Sequence, residues 1–87
     1  MTISGADTFT DWIKLYGPGI LVIEGTVSNS TITLQFSKDG GTTAHDVDTY
    51  TSTYVDGISV PRHGGLFRAG VKSGDYGSDS PKVGIQS

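Results

Sequence analysis

The sequence predicts an all-β fold, a compact antiparallel β-sandwich (Ig-like or small jelly-roll-like) of roughly six to seven strands. Two stretches carry most of that expectation. In "TITLQFS" (31–37) Ile32, Leu34 and Phe36 alternate with Thr31, Thr33 and Gln35. In "LFRAGVK" (66–72) Phe67, Ala69 and Val71 alternate with Arg68 and Lys72. A period of two is that of a strand with one buried face. The third observation is negative, because no window repeats apolar residues at the spacing of an amphipathic helix. Thirteen glycines in 87 residues, with many Ser and Thr, suit strands joined by tight turns.

Taken in order, residues 8–16 ("TFTDWIKLY") read as an extended or bent N-terminal strand, or an arm over 1–16, stopped by Gly17-Pro18-Gly19. "ILVIEGTV" (20–27) is a strand apolar on both faces at its start. "SNS" (28–30) is a turn; "NST" (29–31) fits the glycosylation acceptor pattern but is read as part of that turn. Residues 31–36 follow as a half-buried strand. In "AHDVDTYT" (44–51) Val47 marks the inward face, Asp46 and Asp48 the outward one. "STYVDGISVP" (52–61) is an edge strand that Pro61 ends. "RHGG" leads into 66–72, "SGDYGSDSP" is a long turn, and "KVGIQ" (82–86) turns Val83 and Ile85 inward. With no repeat or linker, a single domain over 1–87 is expected.

Composition removes several function classes. The net charge is -3 and the six Lys and Arg are scattered, which argues against a nucleic-acid partner. The longest apolar run, "ILVI" (20–23), is far short of a membrane span, and "MTISGADTFTDW" lacks the pattern of a signal peptide. Without cysteine there is no disulfide or thiolate metal site. The two histidines, His45 and His63, have no ligand or triad spacing and read as surface residues beside turns. No Gly-x-Ser-x-Gly elbow surrounds a serine. An enzyme is not expected, and no cofactor is implied. Asp39, Asp46, Asp48, Asp56, Asp75 and Asp79 supply oxygens of the kind calcium takes, but without a calcium-loop spacing they read as turn caps and a solvated acidic face. No metal is expected.

"SKDGGTT" (37–43) is the sharpest motif. Between two alternating strands, Asp39-Gly40-Gly41 is a hairpin signal: the aspartate bonds nearby amides, and a glycine takes the left-handed conformation without strain. Ser37, Asp39, Gly41 and Thr43 also match the Asp box of glycan-processing propellers, with Ala44 in place of its tryptophan. One copy in a chain this short does not build a propeller.

A wider set of residues carries a second likeness. Gly25, Thr26 and Val27, then Thr33, Leu34, Gln35, Ser37 and Asp39 through Thr43, then Val47, Tyr50 and Thr51, and finally Arg68, Gly70, Val71, Lys72, Gly74, Asp75 and Tyr76 follow one pattern. In that pattern the chain resembles a group of small tailed-phage virion proteins. The resemblance covers roughly the last two-thirds of the chain, departing at Ala44 and around Trp12. It implies a virion structural protein, a head-decoration or cement protein made in the host cytoplasm and placed on the capsid surface. Its partner would be the major capsid protein. Self-association is expected with it, a trimer being favoured.

For partner binding, Phe9, Trp12 and Tyr16 are the candidates in the N-terminal segment, with the edge at 54–60 beside them. An unpaired N-terminal strand would reach over a neighbouring subunit. Arg68 and Lys72 share a strand face and are candidates to pair with Asp46 and Asp48, or with another protein. The alternative function is a carbohydrate-binding or host-adhesion module, which would use Trp12 and the tyrosines as a stacking platform.

Overall fold

Eight strands and no helix make up the described residues (2, 3, 5, 7–25, 27, 29–60, 64–77 and 81–86) of a computed structural model. They are β1 (Thr8–Phe9), β2 (Ile13–Leu15), β3 (Gly19–Gly25), β4 (Ile32–Ser37), β5 (His45–Tyr50), β6 (Tyr54–Ile58), β7 (Gly65–Val71) and β8 (Pro81–Gln86). Five lie in one antiparallel sheet, in the order β1-β7-β4-β5 with β2 also on β7; the other sheet is β6-β3-β8. The strand count exceeds the expected one because residues 10–12 interrupt what is in effect one edge strand along β7. Phe9 is level with Gly70 and Ile13 with Phe67, so the interrupted side carries one extra residue.

The core lies between the sheets. Leu21 and Ile23 of β3, Ile58 of β6 and Val83 of β8 face Ile32 and Leu34 of β4 and Phe67, Ala69 and Val71 of β7, all buried. The Phe36 and Phe67 rings, partners in register, meet at 5.2 Å and 47°. Each such side chain contributes about 1.5–3 kcal/mol when fully buried, which is why the alternation specifies the pairing register.

The N-terminal segment is not an unpaired arm. Thr2 bridges to Lys82, and the Ile3 N–H donates to the Pro81 carbonyl at 2.7 Å, both on the three-stranded sheet. From residue 8 the chain pairs with β7 on the other sheet. Ile3 and Leu15 are completely buried, so the segment staples the two sheets at their apolar interior. At Gly70 a side chain would collide with the Thr8 carbonyl oxygen and the Phe9 Cα; β1 approaches β7 that closely.

Two further expectations are corrected. β4 is not half-buried: its second face, Thr33, Gln35 and Ser37, is 1%, 6% and 1% exposed. Val47 does not face inward; it is 53% exposed, and β5 is open to solvent along most of its length. The cause is a bulge. Leu34 pairs with Asp48 but Gln35 pairs with Asp46, so Val47 is the extra residue. Asp46 and Asp48 therefore point to opposite faces rather than one outer face. Pro61, His63 and Asp79 lie outside the described residues.

Candidate interaction surfaces

Arg68 stands at the middle of β7, one residue from Phe67 and so on the opposite face from the core. Its guanidinium carbon lies 4.2 Å from the centre of the Phe9 ring and 4.6 Å from that of Trp12. β1 supplies Phe9, level with Gly70, and the break before β2 lets Trp12 onto the same face. The cation thus lies against two aromatic rings.

A hydrogen-bonded chain continues across the sheet. The Arg68 Nε–H donates to Gln35 Oε1 at 2.8 Å, and Gln35 Nε2 donates to Asp46 Oδ1 at 2.9 Å. Lys72 Nζ closes the chain on Asp46 Oδ2 at 2.7 Å. The hydrogen bond from Lys72, then that from Gln35, holds the Asp46 carboxyl below its usual range, and Asp46 raises Lys72 in turn. Both members of this pair are nearly half exposed, so solvent screens it and it serves mainly to fix orientation. Of the expected partnerships Lys72–Asp46 is present; Arg68 takes Gln35 and the two rings instead of Asp48.

The 37–43 loop is a turn, and it answers to the same cluster. Gly40 and Gly41 both have positive φ, 76° and 97°. Ser37 Oγ donates to Asp39 Oδ1 at 2.7 Å and accepts the Gly41 N–H at 2.8 Å, while the Thr43 N–H donates to Asp39 Oδ1 at 2.8 Å. Hydrogen bonds from Thr43, and then from Ser37, pull the Asp39 carboxyl from 3.8 to about 2. A side chain at Gly41 would press on the Trp12 indole, 3.0 Å from Nε1. Trp12 therefore rests on the loop with one side and meets Arg68 with its ring. Nothing in the sequence spacing links Trp12 to the loop, because the link runs through the pairing of both segments with their neighbours.

Tyr16 is not brought into this group. It is 79% exposed, against Gly64, with the Lys14 Nζ 5.4 Å from its ring centre. Tyr50 and Tyr54 meet at 5.7 Å at an angle of 34° on another part of the surface. The Tyr50 hydroxyl donates to Asp56 at 2.9 Å; burial, then this bond, raises its pKa. Among the described residues no three His, Cys, Asp or Glu side chains converge as a metal site, and His45 is exposed.

The outer face of the three-stranded sheet differs in kind. Leu21 and Ile23 point inward, leaving Ile20, Val22 and Glu24 outward on β3. In register with them stand Gly57 and Val55 on β6, and Gln86, Gly84 and Lys82 on β8. Ile20 is 45% and Val55 67% exposed. A Cβ added at Gly57 or Gly84 would meet no atom of the described residues within 4 Å, so the sheet backbone lies open there. Val22, Glu24, Lys82, Gly84 and Gln86 border a shallow groove. The signal for this face was the two-sided apolar run at 20–23 in a chain too small to cover both sides of every strand.

Scanned against protein-family models, curated proteins and solved structures, the chain matches none.

Proposed function

We propose that the protein is a non-catalytic structural component of a tailed-phage virion, a decoration protein that binds the major capsid protein on the outer head surface. The observation that carries this reading is the Arg68 cluster. An arginine held against Phe9 and Trp12, braced by Gln35, is a preorganised anchor at the centre of a sheet face. Arginine and tryptophan dominate the energetics of protein interfaces, and side chains already locked in place lose little entropy on binding. Asp46 and Lys72 supply the polar surround that such an anchor has in known interfaces. The molecule measures 36 × 24 × 17 Å, so a broad face is of the size of a standard interface, about 800 Å² per partner. Bound in many copies, the domain would stabilise the assembled shell by mass action. The sequence resemblance supports the same assignment.

The test is co-sedimentation with assembled heads. Wild-type protein is expected to pellet with heads, and Arg68→Ala and Trp12→Ala each to weaken binding by at least about tenfold while keeping a β-type circular dichroism spectrum. Head binding at wild-type affinity by both variants would move the contact elsewhere. An intact protein that ignores heads and binds a glycan array would replace this function with the carbohydrate-binding one.

A further inference from the structure

We infer that the outer face of β6-β3-β8 is a self-complementary surface on which two copies of this chain stack face to face. Three features of that face meet in one arrangement. Val22 on β3 is level with Gly84 on β8, and Glu24 with Lys82. The space over Gly84 is empty and forms the groove bordered by Val22, Glu24, Lys82 and Gln86. Lys72–Asp46 is the one ion pair among the described residues; Glu24 and Lys82, both exposed and in register, are not joined by another.

Consider a two-fold axis in the plane of contact, parallel to the strands and midway between β3 and β8. It sets β3 of each copy over β8 of the other at the same height. Every level pair within one chain then becomes a stacked pair between chains. Val22 enters the groove over Gly84 of the second copy, and the second copy's Val22 does the same in return. Glu24 lies against Lys82 of the second copy, and Lys82 against its Glu24. Ile20 covers the backbone near Gln86 of the second copy. A sheet face presenting a knob beside its own hole, and a carboxylate beside its own ammonium, is self-complementary under that rotation and no other partner is needed to satisfy it. Stacked sheets sit about 10 Å apart, which leaves one layer of side chains between them. Glycine at Gly84 has no steric reason inside the monomer, since its φ is not positive and nothing crowds it. The stacked copy gives it one.

Few side chains take part, so the contact is smaller than a standard interface and the dimer is weak and concentration-dependent. A two-fold contact differs from the trimer that the sequence resemblance implies, and the limiting mass in solution separates the two. This inference is independent of the capsid reading, because it uses the opposite sheet and its test contains no capsid.

Sedimentation equilibrium from micromolar to millimolar protein tests it. The wild-type mass should rise with concentration toward twice that of the monomer. Gly84→Leu, which fills the groove from a position where an added Cβ meets nothing, should hold the chain monomeric with an unchanged circular dichroism spectrum. Glu24→Lys alone and Lys82→Glu alone should each weaken association at least about tenfold, because each makes two like-charge contacts. The combined variant should associate as the wild type does. A wild-type chain monomeric at millimolar concentration, a limiting mass of three chains, undiminished association in Gly84→Leu, or a double charge swap that fails to restore it would each overturn the proposal.

Discussion

The outer faces of the two sheets differ in how they are finished. On the five-stranded sheet Arg68, Phe9 and Trp12 are packed together over β7, and the outward residues of β4 are buried. On the three-stranded sheet Val55 and Ile20 stand exposed and two glycines leave bare backbone. Both faces belong to short antiparallel strands that turn their other side to one shared core. What separates them is the N-terminal segment, which crosses from β8 to β7 and delivers its aromatics to one side alone. Cover on a sheet this small is a matter of chain routing as much as of residue type.

The largest expected effect comes from undoing that routing. Gly70→Val places a side chain where the Thr8 carbonyl and Phe9 backbone now lie, so β1 must leave β7. Phe9 would leave Arg68 with it, and the second face of β4 would meet water. The destabilisation should reach the top of the about 1–3 kcal/mol typical of overpacking, or pass it. Chemical denaturation would measure it, and near-ultraviolet circular dichroism would follow Trp12. A loss under about 0.5 kcal/mol would show that β1 is not what closes this face. Gly84→Val, the matching change on the bare face, should move stability far less, since nothing crowds that site.

A middle-sized effect sits in the turn under Trp12. Its pH dependence has a definite sign. The Asp39 carboxyl is held at about 2, below the 3.8 of a free aspartate, by bonds it accepts more strongly when charged. A depressed folded-state value means its stabilisation is complete above about pH 4 and is lost as the pH falls toward about 2. Asp39→Asn keeps the shape without the charge. Melting temperatures of the two proteins should differ near neutral pH, with the wild type higher, and converge across that acid window. Asp46 titrates with the same sign in both, so the difference isolates the turn. Curves that stay parallel into acid would show that the Ser37 and Thr43 bonds do not depend on the charge.

How far the sequence revealed this molecule follows from the range of each interaction. The inward face of β4 and β7, and the turn at Asp39-Gly40-Gly41, rest on neighbours one to four residues apart and were readable. The bulge that turned Val47 outward was not, because it depends on which residue of β4 pairs with which of β5. Nor was the placing of Trp12 over Gly41, or of Phe9 beside Arg68, since both need the N-terminal segment laid along a strand some sixty residues later. The sequence presents Phe9, Trp12 and Tyr16 as one group of candidates and Arg68 with Lys72 as another. Their grouping, and the exclusion of Tyr16 from it, required the fold.

The smallest effect has the opposite sign and sharpens the comparison where the covered face is tightest. Thr33 is 1% exposed, outward on β4 and level with Gly70, and its hydroxyl Oγ1 has no hydrogen-bond partner among the described residues. A buried hydroxyl left unpaired forfeits the hydration it had in the unfolded chain. Valine has the same shape and no such group. Thr33→Val should therefore stabilise the protein, by up to about 1 kcal/mol, which for a domain of this size raises the melting temperature by a few degrees. The reverse change on the bare face, Val22→Thr, should stay within about 0.5 kcal/mol, because a half-exposed hydroxyl there keeps its access to water. Thermal unfolding of the two variants against wild type is the measurement. If Thr33→Val instead melts lower, its hydroxyl has a partner in solution and the cover over β4 admits water; the two faces would then differ in shape but not in dryness.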